Sequence, residues 1–557
     1  MPGAALMTSD STNHGSSLCG IGMVLGTLLF AASLTPSLVP RSPMVQGLLG
    51  GFCLAAGYGL GVLMRRAWQM MALPRLSPCW HRRALAVTWA GCLLLAVLTL
   101  RWALEWQNRL RALMDMPALD SGGPWTVAGL ALLTFGVLLL IARLLGWVRR
   151  RLTAKLSRYV SGPLAGLAAL VLTAVFFWML GNGVLVHGLM RSADRLYAGL
   201  DALVEPDIAQ PQSAGKTGGA GSLLDWERLG RQGRRMIAAG PDAAAIAQAT
   251  GKAALEPLRV YVGLNSADTP QACAHLALAE LKRIGAFERA NLVIATPTGT
   301  GWVDPESQEA LEYVLHGDVA TVSVQYSYLL SWLALLADPE YGVETARAVF
   351  ATVYGYWRTL PQDKRPRLYL QGLSLGALNA DLSHDLFQVI DAPYDGALWS
   401  GPPFDTPTWR AVTQGRNAGS PAWLPVFGDG SVVRFTSQRN HLDDAAVPWG
   451  KYRIVFLQYA SDAVTFFDPH ALWRRPGWME APLGPDVSPD MRWIPVVSFL
   501  QLAFDLVLAV EPPKGHGHVY AFDHYLDAWA SLTGPSDWTA SSLAALKRYR
   551  AARSTPP

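Results

Sequence analysis

Apolar positions in this chain follow two different rules. In the first 190 residues they run together in long stretches: Leu18–Val39, Met44–Met64, Ala84–Leu104, Trp125–Ala142 and Gly162–Leu189. Each is near or above the ~18–20 residues that carry a helix across a bilayer. The fourth has no charged residue, and the fifth holds only Asn182 and His187 as strongly polar groups. A soluble helix needs one wet side, and five successive helices without one predict a bundle of about five transmembrane helices over residues 1–190. Residues 191–224 then form a linker, since Glu205–Ser222 is rich in Pro, Gly, Ala and Ser.

From residue 225 to 557 short apolar runs alternate with stretches of helical spacing. The runs Arg259–Leu264, Asn291–Pro297, Thr321–Tyr326, Arg367–Gln371, Gly396–Ser400 and Tyr452–Tyr459 read as strands. Between them Gln271–Arg283, Glu306–Leu315 and Val343–Thr359 read as helices. Strands spaced by helices imply a mostly parallel α/β sheet with right-handed crossovers. Residues 401–450 break that rhythm with Pro, Gly and Trp, and are expected to form a lid-like insertion over the top of the sheet.

One stretch carries chemistry in its local pattern. Arg367–Gln371 leads into Gly372-Leu373-Ser374-Leu375-Gly376, and Leu378, Leu382, Leu386 and Val389 follow at helical spacing. Strand, Gly-x-Ser-x-Gly and helix together describe a nucleophile elbow, a strained turn that exposes a serine at the sheet edge. A plain strand-to-helix turn with a capping serine is the structural alternative.

A serine hydroxyl needs a base, and the base needs an orienting acid. Asp462 directly follows the run Tyr452–Tyr459 and is the expected acid, with Asp468 as the substitute. Pro513-Lys514-Gly515-His516-Gly517-His518 precedes an expected helix, Val519–Leu532, and supplies the base. His518, nearer the helix, is preferred over His516. The acid and histidines could instead be ordinary turn and surface groups. The oxyanion hole would take the amide of Leu375 and amides from the loop Gly299-Thr300-Gly301, with Asn265-Ser266 as the second choice. His516, His518, Asp523 and His524 also form a local cluster of metal-ligand types, but no further His/Cys cluster accompanies it, so neither a metal nor a cofactor is expected. Gly215-Lys216-Thr217 lacks the first glycine and the preceding strand of a phosphate loop.

Composition agrees with a membrane protein: 51% of residues are hydrophobic and 16% charged. A net charge of +4 is small for this length and gives no nucleic-acid signal, so no nucleic-acid partner is expected. The first ten residues lack the basic and apolar regions of a removable signal peptide. Basic residues crowd two of the connections, with Arg65, Arg66, Arg75, Arg82 and Arg83 in one and Arg143, Arg149, Arg150, Arg151, Lys155 and Arg158 in the other. The remaining connections hold Arg41 in one and Arg101, Arg109 and Arg111 in or beside the other. The richer connections belong in the cytoplasm, which places everything after Leu189 outside. Cys273 is the lone cysteine after the spans, so the external domain would hold together without an internal disulfide.

Several stretches resemble a bacterial α/β-hydrolase family that carries a multi-span region before its catalytic domain. They are Arg259–Leu264, Gly285-Ala286-Phe287, Thr298–Asp304, Gln325–Tyr328, Ser374-Leu375-Gly376, Gly401-Pro402-Pro403, Ala460-Ser461-Asp462 and Gly515–His518. In that family Glu is commoner at the position of Leu373. The resemblance implies a serine hydrolase fold and no defined substrate. The bilayer tie, with Trp399, Trp409, Trp423 and Trp473 in or near the insertion, points to a lipid or lipid-linked ester as substrate. An acyltransferase on the same residues and a non-catalytic membrane module are the rival expectations.

Overall fold

The computed structural model describes residues 18–73, 78–120, 122–179, 187–329 and 339–554. Arg75, the first ten residues and the 180–186 part of the fifth predicted span lie outside them.

Five helices open the described chain: α1 (Gly20–Ser33), α2 (Pro43–Met70), α3 (Pro78–Ala112), α4 (Gly123–Leu156) and α5 (Gly162–Trp178). Three contain a stretch long and apolar enough to cross a membrane: Pro43–Met70, Arg83–Ala112 and Gly123–Leu156. α1 and α5 are apolar but shorter. The first predicted span thus ends early, because Pro36 and Pro40 follow it and cannot continue a helix. α1 and α2 meet backbone to backbone. A Cβ on Gly61 would sit 2.5 Å from Gly22 Cα, and one on Gly57 would sit 2.4 Å from Leu25 O. Small residues four apart allow that approach, and apolar helices use it in place of a hydrophobic driving force.

The remainder of the chain builds around seven strands: β1 (Leu258–Val262), β2 (Asn291–Thr296), β3 (Val319–Val324), β4 (Arg367–Leu373), β5 (Gly396–Ser400), β6 (Val433–Thr436) and β7 (Arg453–Leu457). Their order is β1-β3-β2-β4-β5-β7-β6, and every neighbouring pair is parallel. β4 is buried on both faces: Leu368 and Leu370 join one core layer, and Tyr369 joins the other. Helices Pro270–Arg283 and Pro339–Thr359 cover the first layer, and Pro305–Val314 and Phe522–Thr533 cover the second. Register aligns Thr296 with Gly372, Leu373 with Ser400, and Ser400 with Leu457. The loops after β2, β4, β5 and β7 therefore leave from one edge, where open α/β sheets hold their ligands.

Three elements depart from the expected reading. β6 lies inside the 401–450 insertion and extends the sheet beyond β7, so part of that segment is sheet edge and not lid. The helix after Ser374 breaks into Leu375–Asp381 and Leu386–Val389, where Asp385 starts a new turn with a capping box. The expected linker is pinned to the sheet: Thr217 Oγ1 donates to Arg259 O at 2.9 Å, and Ser222 Oγ donates to Glu280 at 2.7 Å.

The apolar helix Val497–Val507 joins the two halves. Val497 is buried with Leu49 and Cys53 of α2, and Phe504 stacks edge-on with Phe52. Beside it Arg41 and Asp505 form an ion pair at 3.1 Å with both side chains buried. Asp505 also accepts from Ser37 Oγ at 2.8 Å and from the Leu38 amide at 3.0 Å. Arg41 Nη1 reaches Gln46 at 2.9 Å, and its amide donates to Gln107 at 3.0 Å.

Candidate active site

The elbow is built as its sequence requires. Ser374 follows β4 directly, at φ +56° and ψ −129°, a strained conformation for an L-residue. Its amide donates to Ser400 O at 3.0 Å, and its carbonyl accepts from Ala377 and Leu378 as the helix starts. Both flanking glycines are required sterically. A Cβ on Gly372 would lie 2.4 Å from the Ala377 amide nitrogen, and one on Gly376 would lie 2.3 Å from Thr296 O. Leu373 points into the core layer that holds Tyr369, Leu457 and Tyr520.

Asp462 caps the short helix Ala463–Phe466 and is fully buried. Its Oδ1 accepts from the Val464 amide at 2.8 Å. Its Oδ2 faces His518 Nδ1 at 2.8 Å and accepts from Tyr520 Oη at 2.7 Å. With Nδ1–H donating to the carboxylate, Nε2 keeps its lone pair. That Nε2 is buried and has no hydrogen-bond partner in the structure. Gly401 lies between strand β5 and this pair: a Cβ there would meet His518 Cε1 at 2.7 Å and Asp462 Oδ2 at 2.8 Å. Ser374 is bonded to Ser400, the residue before Gly401, so Ser374, Asp462 and His518 all border one two-residue step.

The two histidines separate. His516 faces Asp486, with Nδ1 3.6 Å from Oδ2, and not Asp462. Asp486 is buried and accepts from Ser461 Oγ at 2.5 Å and Gln438 Nε2 at 2.6 Å, while Ser461 Oγ accepts from the Gly517 amide at 2.8 Å. This network ties the Asp462 loop to the His518 loop. Asp468, the substitute acid, caps its own turn at the His470 amide, 2.8 Å away. His524 Nδ1 pairs with Tyr459 Oη at 2.6 Å, so the local histidine cluster disperses to different partners. Among the described residues no group of three metal-ligating side chains converges.

The loop after β2 runs against the elbow, through the contact of Thr296 and Pro297 with Gly376. Within it Gly301 donates its amide to Thr298 O at 2.9 Å and its carbonyl accepts from Tyr261 Oη at 2.7 Å. The Gly301 amide is thereby used inside its own turn and drops out of the expected oxyanion set. Gln325 stitches this loop to the alternative one: Nε2 donates to Ser327 O at 3.1 Å and Thr300 O at 3.4 Å, and Oε1 accepts from the Leu264 amide at 3.2 Å. Asn265 accepts from Tyr328 Oη at 2.6 Å. Leu375 packs with Leu329, Leu378 and Tyr197.

The tryptophans divide differently from the sequence expectation. Trp399 and Trp409 are buried in the core, and Trp409 Nε1 donates to Gln458 at 2.7 Å. Trp423 donates to Pro482 O at 3.0 Å, and Trp473 is exposed.

Sequence reading did not anticipate Tyr520, Asp486 or Gly401 as parts of this site. Gly401-Pro402-Pro403 was among the resembling stretches, and a glycine directly after a strand is the signal that could have marked it. Tyr520 and Asp486 carry no local pattern.

A parallel sheet with a serine elbow after one strand, an acid after a later strand and a histidine last defines the α/β-hydrolase class. The chain belongs to the alpha/beta-hydrolase family: that family's profile matches residues 258–546, and its N-terminal counterpart, the alpha/beta-hydrolase family N-terminus, matches residues 34–241. The N-terminal match runs from the α1–α2 connection through the packed linker. Searches of curated proteins and of solved structures returned no match to this chain.

Proposed function

We propose that this protein is a membrane-anchored serine hydrolase that cleaves ester bonds of a lipid or lipid-linked substrate. The observations that carry the reading are the buried His518–Asp462 pair at 2.8 Å with an unpartnered outer nitrogen, and a strained Ser374 whose amide is bonded to the residue before Gly401, the glycine packed against that pair. Ser374 attacks the carbonyl carbon, and His518 Nε2 takes the serine proton. Asp462 holds the imidazole orientation and stabilises its charged form. The Leu375 amide, at the first position of the helix after Ser374, stabilises the oxyanion together with an amide from the loop at Thr300 or at Asn265. His518 then returns the proton to the leaving alkoxide, and water completes the cycle by attacking the acyl-enzyme. In the acyl-transfer variant an alcohol replaces water at that last step.

The placement of the hydrolase half outside the cytoplasm is part of the same reading. Arg41 and Arg109, in the arginine-poor connections, pair with Asp505 and Asp490 of the catalytic half. The arginine-rich connections follow α2 and α4 at their other ends. Charge bias and domain docking thus favour one orientation, with α1 and α5 completing five spans.

The test is labelling with a fluorophosphonate probe. Wild type is expected to label at Ser374, Ser374→Ala not at all, and Asp462→Asn on the order of 10³–10⁴ times more slowly. A folded wild-type protein that resists the probe overturns the reading.

A further inference from the structure

The helix His187–Ala202 is the next described helix after the fifth apolar one, and its Tyr197 reaches the elbow. It presents three different faces. Tyr197 packs with Leu375, the residue beside Ser374, and with Leu329 and Leu378. Asp201, one turn on, accepts from the Arg231 amide at 3.0 Å and faces Gln325 Nε2 at 3.4 Å. That side is fixed to the catalytic half. Arg234 locks the helix end by donating to Asp201 O at 3.1 Å and Leu203 O at 2.6 Å. Asp194 and Arg195 are exposed. Leu196 and Leu200 fall on one stripe by their spacing of four residues, and Leu203 stands one residue past the helix end. All three are exposed, at 63%, 38% and 57%. Val204, next in the chain, is exposed at 52%.

A helix whose polar contacts are satisfied on one side has no packing reason to leave a leucine row on another. An amphipathic helix directly after membrane-spanning segments has an apolar phase at hand: the acyl chains at the bilayer surface. We propose that His187–Ala202 lies in the membrane–water interface with Leu196, Leu200 and Leu203 among lipid acyl chains, and that bilayer-resident esters reach Ser374 along it. The delivery step rests on the hydrolase reading above; the position of the helix does not.

The two parts are tested separately. Leu200→Cys carries an NBD fluorophore in full-length protein reconstituted into phosphatidylcholine vesicles, with Ala202→Cys, on another face of the helix, as the control. Lipids bearing a doxyl quencher near the top of the acyl chain are expected to quench position 200 several-fold more than position 202. Equal quenching at both positions overturns the proposal, as does protection of position 200 by a second copy, seen as a cross-linked dimer through that cysteine. For delivery, a Leu196→Gln, Leu200→Gln, Leu203→Gln triple variant is compared with wild type on soluble 4-methylumbelliferyl butyrate and on dioleoylglycerol held in the vesicles. The soluble rate is expected to hold, while the vesicle rate falls about tenfold or more. Equal retention of both rates overturns delivery along the helix. A wild type inert toward the soluble ester strikes the hydrolase reading instead and leaves the quenching result standing.

Discussion

At the scale of single residues, the site depends on atoms that are absent. Gly401 has φ +48° and no room for a Cβ beside His518 and Asp462. Gly401→Ala is expected to push the imidazole off the carboxylate. Probe labelling of Ser374 should then be lost while the protein still elutes as a folded species. Tyr520→Phe removes one donor from Asp462 and leaves the ring packing intact. It should lower kcat about tenfold, the ~1.4 kcal/mol of one hydrogen bond, with KM unchanged. Asp304 responds to pH in a defined direction. It is buried at the start of helix Pro305–Val314, and burial pushes its carboxyl up to about 7 from 3.8. A raised folded pKa gives stability that is full below the unfolded value and is lost as pH rises through the folded value. Wild type should therefore lose stability between about pH 4 and 7 relative to Asp304→Asn, read as the difference in Tm between the two across that range. Identical pH profiles would remove Asp304 from the titrating set. These residues show where sequence legibility stops. Strand ends and chain order mark Ser374, Asp462 and His518 as candidates, and the contact of Asp462 with His518 fits that order. Gly401, Tyr520 and Asp486 act through contacts between distant segments, and no local pattern encodes those.

At the scale of elements, six strands and the helices between them were legible, and the sheet-edge strand and the helix packed against the N-terminal half were not. Gly396–Ser400 was anticipated to the residue, since a fully buried strand reads as one apolar run. β6 was hidden because it is four residues long and pairs only at the sheet edge, within a segment rich in Pro and Gly. The apolar helix Val497–Val507 was passed over between the acid and histidine loops. Its packing against α2 belongs to tertiary structure, and the Arg41–Asp505 pair spans more than 460 positions. That pair supports a quantitative expectation. Removing one member of a buried ion pair leaves the other uncompensated, at a cost of about 3–5 kcal/mol, whereas replacing both with apolar residues is often near neutral. Asp505→Leu alone should lower Tm in detergent sharply. Arg41→Met with Asp505→Leu should recover much of the loss. A double variant as unstable as the single one would show that the surrounding network of Ser37, Gln46 and Gln107 matters more than the charge pair.

At the scale of the whole molecule, the N-terminal apolar helices and the α/β-hydrolase half form one packed unit, and the linker expectation misses this. Pro- and Gly-rich composition marks a segment without regular structure, but it is silent on whether that segment hangs free or lies on a surface. Here Thr217 and Ser222 fasten it to β1 and to helix Pro270–Arg283. The second attachment bears on chemistry. Val497–Val507 is sandwiched between the spans and the sheet domain, and the chain leaving it passes through Ala509, whose carbonyl accepts the His518 amide at 2.7 Å. Gly517 packs against that same carbonyl, at 2.8 Å from where a Cβ would stand. A fragment of residues 191–557 would expose Leu500 and Phe504 and release Asp505 from Arg41. Both changes loosen the segment that seats His518. The fragment is therefore expected to aggregate or to label at Ser374 far more slowly than the full chain, read by size-exclusion chromatography and probe kinetics on the same sample. A monomeric fragment labelling at the wild-type rate would reduce the spans to a tether. The intermediate case is Asp505→Leu in the intact chain, which keeps the apolar packing and removes only the polar contacts. If labelling falls there in step with Tm, the buried pair is the element through which the membrane half holds the histidine in place.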